Sequence, residues 1–139
     1  DNIEDLIFNN NLPIMGVCIG LQIMAKSSSE GILNGLGWID GEVKIIDQKN
    51  GLILPHMGWN EIKVEKENSK LLSNLNSKRF YFLHSYHLIT NQISNKIASV
   101  NYGEEIVAAI SKDNIYGCQF HPEKSHSAGL NVLENFANL

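Results

Sequence analysis

The chain has 139 residues, of which 43% are hydrophobic and 19% are charged, as is usual for one globular domain. Its net charge of -4, with 11 Lys and Arg, supplies no basic surface for nucleic acid, and no apolar run approaches the roughly 20 residues of a membrane span. Composition therefore excludes disordered and fibrous proteins and argues against DNA, RNA or a bilayer as a partner.

The first residues carry an amphipathic pattern. Ile3, Leu6 and Ile7 share one face, which predicts a short helix. An α/β domain usually begins with a buried strand, and this sequence begins at Asp1 rather than at Met. We therefore expect residues 1–139 to form one domain that lacks its N-terminal strands.

Strand-like and helix-like segments alternate along the rest of the chain. The short apolar run from Ile14 to Cys18 predicts a buried strand, and Gly20 to Ala25 predicts the start of a helix. β-branched and aromatic residues predict further strands. These are Glu42 to Ile46, Glu61 to Glu65, Phe80 to His84, Ile97 to Tyr102, Ile106 to Ser111 and Ile115 to Phe120.

Two segments complete the prediction. Asn68 to Lys78 is expected to be a loop or a short helix, and apolar residues at helical spacing from Leu130 to Ala137 predict a C-terminal helix. No internal repeat or linker divides the chain. The elements predict a single α/β domain in which helices flank a mixed central sheet.

The segment Gly16-Val17-Cys18-Ile19-Gly20 has the pattern of a nucleophile elbow, a tight turn between a strand and a helix. Glycines permit such a turn, which places the reactive atom at the start of the helix. There the helix dipole favours a thiolate, and the N–H of Ile19 can point at a developing oxyanion. For this motif alone, a small buried Cys18 beside two structural glycines stays an alternative.

The second cysteine has a different prediction. Cys118 lies within a predicted buried strand, where a packing role is expected. The two cysteines are far apart, form no CxxC motif and follow no secretory leader. We therefore expect free thiols in a reducing, cytoplasmic setting.

The tripeptide His121-Pro122-Glu123 supplies a candidate base. Proline disfavours helix at the residue before it, so we expect an extended tripeptide with residues 121 and 123 on the same side. His121 would then act as the general base for Cys18, within hydrogen-bond reach of its sulfur or slightly farther, with Glu123 orienting the far side of the ring. Taken alone, the motif also suits a surface turn.

Four segments together resemble class I (triad) glutamine amidotransferases. Gly16 to Gln22 and Gln119 to Ser125 resemble the nucleophile and His/Glu motifs of that family. Leu54-Pro55-His56-Met57-Gly58-Trp59-Asn60 and Tyr81 to Tyr86 resemble one branch, the glutaminase subunits of imidazole glycerol phosphate synthase. The resemblance implies a flavodoxin-like α/β fold. It also implies glutamine as substrate, a glutamyl thioester, and a heterodimer with a cyclase subunit that uses the ammonia in histidine biosynthesis.

The resemblance also implies roles for individual residues. The implied catalytic triad is Cys18, His121 and Glu123. The implied glutamine-binding residues are Ile19, Gly20, Gln22, Glu30, His84, Ser85 and Tyr86. The implied partner interface is Met57, Gly58, Trp59, Asn60, Tyr81 and Lys124. A carboxylate such as Glu30 can pair with the ammonium group of the substrate. Without the resemblance, Met57 and Trp59 would be assigned to the core first.

Two departures from the family keep alternatives open. The family carries an N-terminal portion with a PGVG-like loop that supplies half of the oxyanion hole, a donor worth roughly 2.7 to 4 kcal/mol, and this sequence does not contain it. An inactive fragment or binding subunit is therefore one alternative. His87 after Tyr86 is the second departure. It suggests a related glutaminase that supplies ammonia to a surface-sugar amidation enzyme.

The remaining histidines give no metal signal. His84 and His87, three residues apart on a predicted strand, would not converge on an ion, and no Cys or carboxylate cluster completes a tetrahedral set. No phosphate-binding glycine motif is present. We therefore expect no metal and no cofactor, and we expect His56 and His126 to be surface or interface side chains.

Overall fold

A computed structural model describes residues 2–139, so Asp1 of the expected domain lies outside the described residues. The helices are α1 (Asn2–Phe8), α2 (Ile19–Gln22) and α3 (His126–Ala137). The strands are β1 (Ile14–Val17), β2 (Ser27–Ser28), β3 (Gly41–Ile45), β4 (His56–Val64), β5 (Arg79–His84), β6 (Tyr86–Thr90), β7 (Lys96–Tyr102), β8 (Glu104–Lys112) and β9 (Ile115–Cys118). Short 3-10 turns occur at Lys49–Gly51, Ile93–Asn95 and Pro122–Lys124.

The strands form two sheets. The main sheet has six strands in the order β1-β9-β8-β7-β4-β5, and β2, β3 and β6 form a smaller sheet. In the main sheet β1 and β9 are parallel, and the other neighbours are antiparallel. The predicted α/β fold with a mixed sheet is therefore confirmed, with few helices and a parallel part limited to one strand pair.

The main sheet is covered on both faces. Adjacent residues of a strand point to opposite faces, and on β8 the side chains of Val107 and Ala108 belong to different core clusters. One cluster includes α1, α2, β3 and β6, and the other includes α3 and three phenylalanines in tilted and edge-to-face contact. Each fully buried Phe contributes roughly 1.5–3 kcal/mol. Burial on both faces thus fixes the strands that carry the site.

The parallel pair places the two catalytic motifs side by side. Val17 at the end of β1 is opposite Cys118 at the end of β9. The N–H of Cys18 continues this pairing and donates to the carbonyl of Cys118 at 2.8 Å. Because parallel strands end at the same edge of a sheet, the chain after β1 and the chain after β9 begin together, as in other α/β sites.

Several element boundaries differ from the sequence prediction. Helix α2 ends at Gln22 rather than Ala25, α3 begins at His126 rather than Leu130, and β9 ends at Cys118 rather than Phe120. β4 begins at His56, five residues before the predicted start at Glu61. The loop expected at 68–78 is present as turns. Strand β6 was missed, because its polar start follows β5 after a single residue, where the chain leaves the main sheet for the small one.

Across residues 2–139, none of the helices combines the length and the apolar character needed to traverse a bilayer.

Candidate active site

Cys18 occupies a strained turn between β1 and α2. Its backbone has φ 52° and ψ -106°, a region that non-glycine residues rarely adopt and that is concentrated at functional sites. A Cβ on Gly16 would lie 2.4 Å from the carbonyl oxygen of Gly20, so only glycine fits there. A Cβ on Gly20 would meet open space. Packing therefore requires the first glycine of the predicted elbow and not the second.

The Cys18 side chain is buried, with 8% of its surface exposed. Its Sγ lies 3.7 Å from the carbonyl oxygen of Leu83, and Nε2 of Gln119 lies 3.6 Å from the sulfur. Burial raises the pKa of Cys18 above its usual range, although hydrogen bonds from the Ile19 N–H and from Gln119 lower it. The Ile19 N–H at the helix start thus favours the thiolate as expected, but the net shift of the pKa is upward because burial is the larger effect. Helix α2 is a single turn of four residues, and burial outweighs its donors.

His121 and Glu123 form a hydrogen-bonded pair. Oε1 of Glu123 lies 2.7 Å from Nδ1 of His121. The tripeptide is not extended as predicted, because Pro122–Lys124 form a 3-10 turn that brings the carboxylate back over the ring. The turn is held by the His121 N–H, which donates to the Tyr81 carbonyl at 2.9 Å, and by Ser125 Oγ, which donates to the His121 carbonyl at 2.6 Å.

The other ring nitrogen of His121 is free to act as a base. With Nδ1 donating to Glu123, Nε2 of the neutral ring carries a lone pair. This atom is buried and has no hydrogen-bond partner among residues 2–139. The same residues contain no hydrogen bond between His121 and Cys18, and the thiol instead faces the Leu83 carbonyl. Such contacts often tighten only when substrate binds.

A cleft of about 400 Å³ adjoins the elbow, within the size range of small-molecule sites. Of the residues expected to bind glutamine, Ile19, Gln22 and Glu30 line it, whereas Gly20, His84, Ser85 and Tyr86 do not. Its other lining residues are Ile23, Ser27, Ser28, Gly31, Leu33, Asn34, Gly35 and Leu36. The carboxylate of Glu30 gives this cleft a negative group near the nucleophile.

Gln22 has a further set of contacts inside the protein. Its Nε2 donates to the Tyr86 carbonyl at 2.9 Å and to Oε1 of Gln119 at 3.1 Å. Only 7% of the residue is exposed. The resemblance assigns Gln22 to substrate binding, but its side-chain nitrogen donates to two protein oxygens.

His56 and His84 form a buried pair. His56 is 3% exposed, so its predicted surface position is wrong; its ring stacks between Phe82 and Tyr102 at 4.7 Å and 4.1 Å. Nδ1 of His56 lies 2.9 Å from Nε2 of His84, and Nδ1 of His84 lies 2.8 Å from the Tyr86 carbonyl. Since a carbonyl only accepts, His84 donates from Nδ1 and accepts at Nε2, and His56 donates from Nδ1. Burial lowers the pKa of each to about 4.

Acid is expected to unfold the protein partly through this pair. The unfolded chain binds protons at these histidines near pH 6.5, but the folded chain binds them only near pH 4. The contribution of the two neutral histidines to the free energy of unfolding is therefore fully present above pH 6.5 and is lost as pH drops from 6.5 toward 4. The free energy of unfolding should fall by roughly 2 kcal/mol per histidine between pH 7 and pH 5. Urea unfolding at the two pH values measures this loss.

His56→Gln should shrink the loss between pH 7 and pH 5, because glutamine does not titrate. His126→Gln, which removes an exposed histidine, is the matched control. Equal pH dependence in the His56→Gln variant and the wild type would contradict the assignment.

Of the six residues expected to contact a partner, three are exposed and three are half-buried. Met57 is 64% and Trp59 41% exposed. The Trp59 ring stacks on His126 with centroids 5.2 Å apart, and Nζ of Lys124 lies 5.9 Å from the Tyr81 ring centroid. We call Met57, Trp59, Tyr81, Lys124 and His126 the aromatic surface.

The other two expected partner residues have structural roles. Gly58 has φ 118°, a backbone conformation that favours glycine. The side-chain amide of Asn60 donates to the Asn101 carbonyl at 3.0 Å and lies 3.3 Å from Nε2 of His56. Asn60 thus links β7 to the buried histidine pair.

Two further residues singled out in the sequence lie in the core. Nε2 of His87 lies 2.8 Å from Oε1 of Glu104, and His87 is 5% exposed. Cys118 has no exposed surface, burial raises the pKa of its thiol, and both cysteines are free. No group of three metal-ligating side chains occurs among residues 2–139.

Sequence reasoning missed two groups at the nucleophile, Gln119 and the carbonyl of Leu83. The signal for Gln119 was its polar side chain near the end of a predicted buried strand, two residues before the His-Pro-Glu motif. A buried polar side chain needs partners, and the sequence offered several. The Leu83 contact had no signal, because it involves only the backbone.

Comparison with known proteins agrees with this geometry. Residues 2–139 match the family model of glutamine amidotransferase class-I. The imidazole glycerol phosphate synthase subunit HisH of Leptospira interrogans is 46% identical over 142 residues, which are 100% of this chain and 70% of that protein. The HisH subunit of Bdellovibrio bacteriovorus is 41% identical over 99% of this chain and 69% of its own length.

Solved structures show the same fold at lower sequence identity. A putative GMP synthase protein from Thermoplasma acidophilum has a TM-score of 0.69 and 22% sequence identity, and it covers 98% of this chain. PurLQS from Thermotoga maritima has a TM-score of 0.68 and 18% sequence identity, and it also covers 98% of this chain. This chain spans 61% and 65% of those two chains. The chain therefore belongs to the class I glutamine amidotransferase family, in the branch of the HisH subunits of imidazole glycerol phosphate synthase.

Proposed function

We propose that the chain is the glutaminase of an imidazole glycerol phosphate synthase and hydrolyses glutamine through Cys18, His121 and Glu123. The observation that carries this proposal is the strained Cys18 beside the hydrogen-bonded His121–Glu123 pair, next to a cleft that contains Glu30. The family match and its HisH relatives support the same activity.

The complete reaction requires only the three proposed catalytic side chains, glutamine and water. The Cys18 sulfur attacks the side-chain amide carbon of glutamine while Nε2 of His121 takes the thiol proton. His121 then gives that proton to the leaving nitrogen, so that ammonia departs and a glutamyl thioester stays on Cys18. Water, deprotonated by His121, hydrolyses the thioester to glutamate and restores the thiol. Glu123 holds the imidazole and stabilises its charged form.

The resting geometry adds one requirement to this mechanism. The thiol faces the Leu83 carbonyl and its pKa is raised by burial, so the protein holds a protonated sulfur. Attack needs rotation of Sγ toward the unpartnered Nε2 of His121. We therefore expect His121 to take the thiol proton only when glutamine is bound, in the same step in which the sulfur attacks the amide carbon.

The ammonia is proposed to pass to a cyclase subunit in a cytoplasmic heterodimer that makes the imidazole ring in histidine biosynthesis. Ammonia released into water is protonated and lost, so the site must be closed by the partner. The aromatic surface supports this docking role, because Met57 pairs with Leu83, whose carbonyl faces the nucleophile. Exposed aromatic and Met side chains are typical interface anchors.

A related glutaminase for a surface-sugar amidation enzyme was the alternative suggested by His87. Its pairing with Glu104 gives that residue a structural role in the core. The HisH relatives support the cyclase as the ammonia acceptor.

Labelling with a glutamine-derived electrophile, such as a diazoketone analogue, tests the nucleophile. We expect the full-length protein to acquire one adduct on Cys18 and none on Cys118, because Cys118 is fully buried. Peptide mass spectrometry locates the adduct, and excess glutamine should suppress it. Labelling confined to Cys118, or labelling of Cys18 that glutamine does not suppress, would overturn the proposed activity.

A further inference from the structure

We propose that Gln119 is a further catalytic residue, whose side-chain amide donates to the Cys18 sulfur and stabilises its thiolate, and that Gln22 is the positioning residue that orients this amide. The inference rests on the proposed function of Cys18 as nucleophile. It adds to the triad a hydrogen-bond donor directly after β9, at a residue that the sequence analysis did not assign to catalysis, glutamine binding or the partner interface.

The position of Gln119 is fixed by burial and by its backbone. The residue has no exposed surface, and its N–H donates to the Ala108 carbonyl at 2.9 Å. Its Nε2 lies 3.6 Å from Sγ of Cys18. The side chain therefore meets the reacting atom from the interior of the protein, directly after β9, where β8 holds the backbone of Gln119.

The direction of the Gln119 amide follows from the bonds around it. Oε1 of Gln119 accepts from Nε2 of Gln22, which also donates to the Tyr86 carbonyl. That carbonyl can only accept, so the nitrogen of Gln22 must face it. Its other hydrogen then requires an oxygen of Gln119, and the remaining nitrogen of Gln119 faces the sulfur. A flip of either amide would place two acceptors or two donors against each other.

The charges around Cys18 explain why this donor matters. Glu123 after β9 and Glu30 after β2 both disfavour the thiolate, as does burial. His121, the proposed base, is paired with Glu123, and His84 follows Leu83, whose carbonyl contacts the sulfur. Among residues 2–139, Gln119 is the one side chain that donates a hydrogen bond to Sγ; the Ile19 N–H is the backbone donor. A hydrogen bond to the charged form lowers a pKa, and its loss raises it.

Gln119→Glu in the full-length protein tests the proposal. The substitution keeps shape and still offers an oxygen to Gln22, but it replaces the donor at the sulfur by a carboxylate. We expect the pH profile of Cys18 alkylation by iodoacetamide to move at least one unit toward higher pH, which lowers the rate at pH 7 about 10-fold per unit. Gln48→Glu, at an exposed glutamine, adds the same charge elsewhere and should leave the profile unchanged.

Gln22→Glu is the second variant and is decisive if the first does not fold. A carboxylate at that position must accept from Gln119, which turns the Gln119 amide and directs its oxygen at the sulfur, so the same upward shift is expected. A purely structural role would lower the melting temperature and leave the alkylation profile in place.

An unshifted profile in a folded Gln119→Glu or Gln22→Glu variant overturns the proposal, and so does an equal shift in Gln48→Glu. The assay needs no turnover. Failure of the Gln119 proposal can therefore be distinguished from failure of the glutaminase proposal, which is tested by labelling Cys18 with the glutamine analogue.

Discussion

Replacement of Cys18 by alanine is expected to lower kcat for glutamine hydrolysis by roughly 10⁶-fold, to a residual rate set by binding and electrostatics alone. The substitution removes the only atom that can form the thioester, while the backbone turn and the His121–Glu123 pair stay in place. Glutamate release by the full-length protein in complex with its synthase measures the loss.

Two controls separate loss of the nucleophile from loss of the fold. Cys118→Ala removes a fully buried thiol and is expected to lower stability slightly with little effect on kcat. The Cys18→Ala complex should still form product when ammonium is supplied in place of glutamine, because the acceptor reaction does not involve the thiol. More than a few per cent of wild-type glutaminase in Cys18→Ala would refute the covalent mechanism.

Trp59→Ala is expected to weaken synthase binding by about 2 kcal/mol or more, which is about a 30-fold increase in Kd. Trp59 is 41% exposed and packs on His126, so its loss removes an anchor from the aromatic surface. The unsealed site should release ammonia to solvent, and the ratio of free ammonia to synthase product should rise. Titration calorimetry and the product ratio give the two readouts.

The same variant distinguishes a docking role from a core role. A docking role leaves the free energy of unfolding within about 1 kcal/mol of the wild type, whereas a core tryptophan would cost roughly 3–5 kcal/mol. Ile93→Ala is the matched control, because Ile93 is 76% exposed on the turn between β6 and β7 and lies outside the aromatic surface. Unfolding of Trp59→Ala, or equal weakening by Ile93→Ala, would contradict the docking model.

The sequence identified the parts of the molecule whose pattern is local. The run from Ile14 to Cys18 is apolar and bounded by breakers, and it forms β1 and the elbow. The C-terminal helix shows its spacing directly in the chain. The family resemblance, carried by four short motifs, is confirmed by the match over residues 2–139.

The parts that were missed depend on contacts between distant segments. The buried position of His56 follows from stacking on Phe82 and Tyr102 and from its bond to His84, none of which a local pattern contains. The helix start favours the Cys18 thiolate as expected, yet a one-turn helix cannot offset burial, which distant segments of the chain produce. Gln119 likewise required the knowledge that Gln22, almost a hundred positions earlier, faces it.

The cross-strand pair of Met57 and Leu83 links the outer surface to the nucleophile through the main chain. The side chain of Met57 is exposed, and its partner on β5 presents a carbonyl 3.7 Å from the Cys18 sulfur. The carbonyls of Tyr81 and Leu83 both point to the edge of β5 that lies away from β4, where the first accepts from the His121 N–H and the second from the Cys18 thiol. A shift of β5 that follows contact at Met57 would therefore move both catalytic residues together. Alanine scanning would not detect this coupling, because main-chain oxygens make the two contacts.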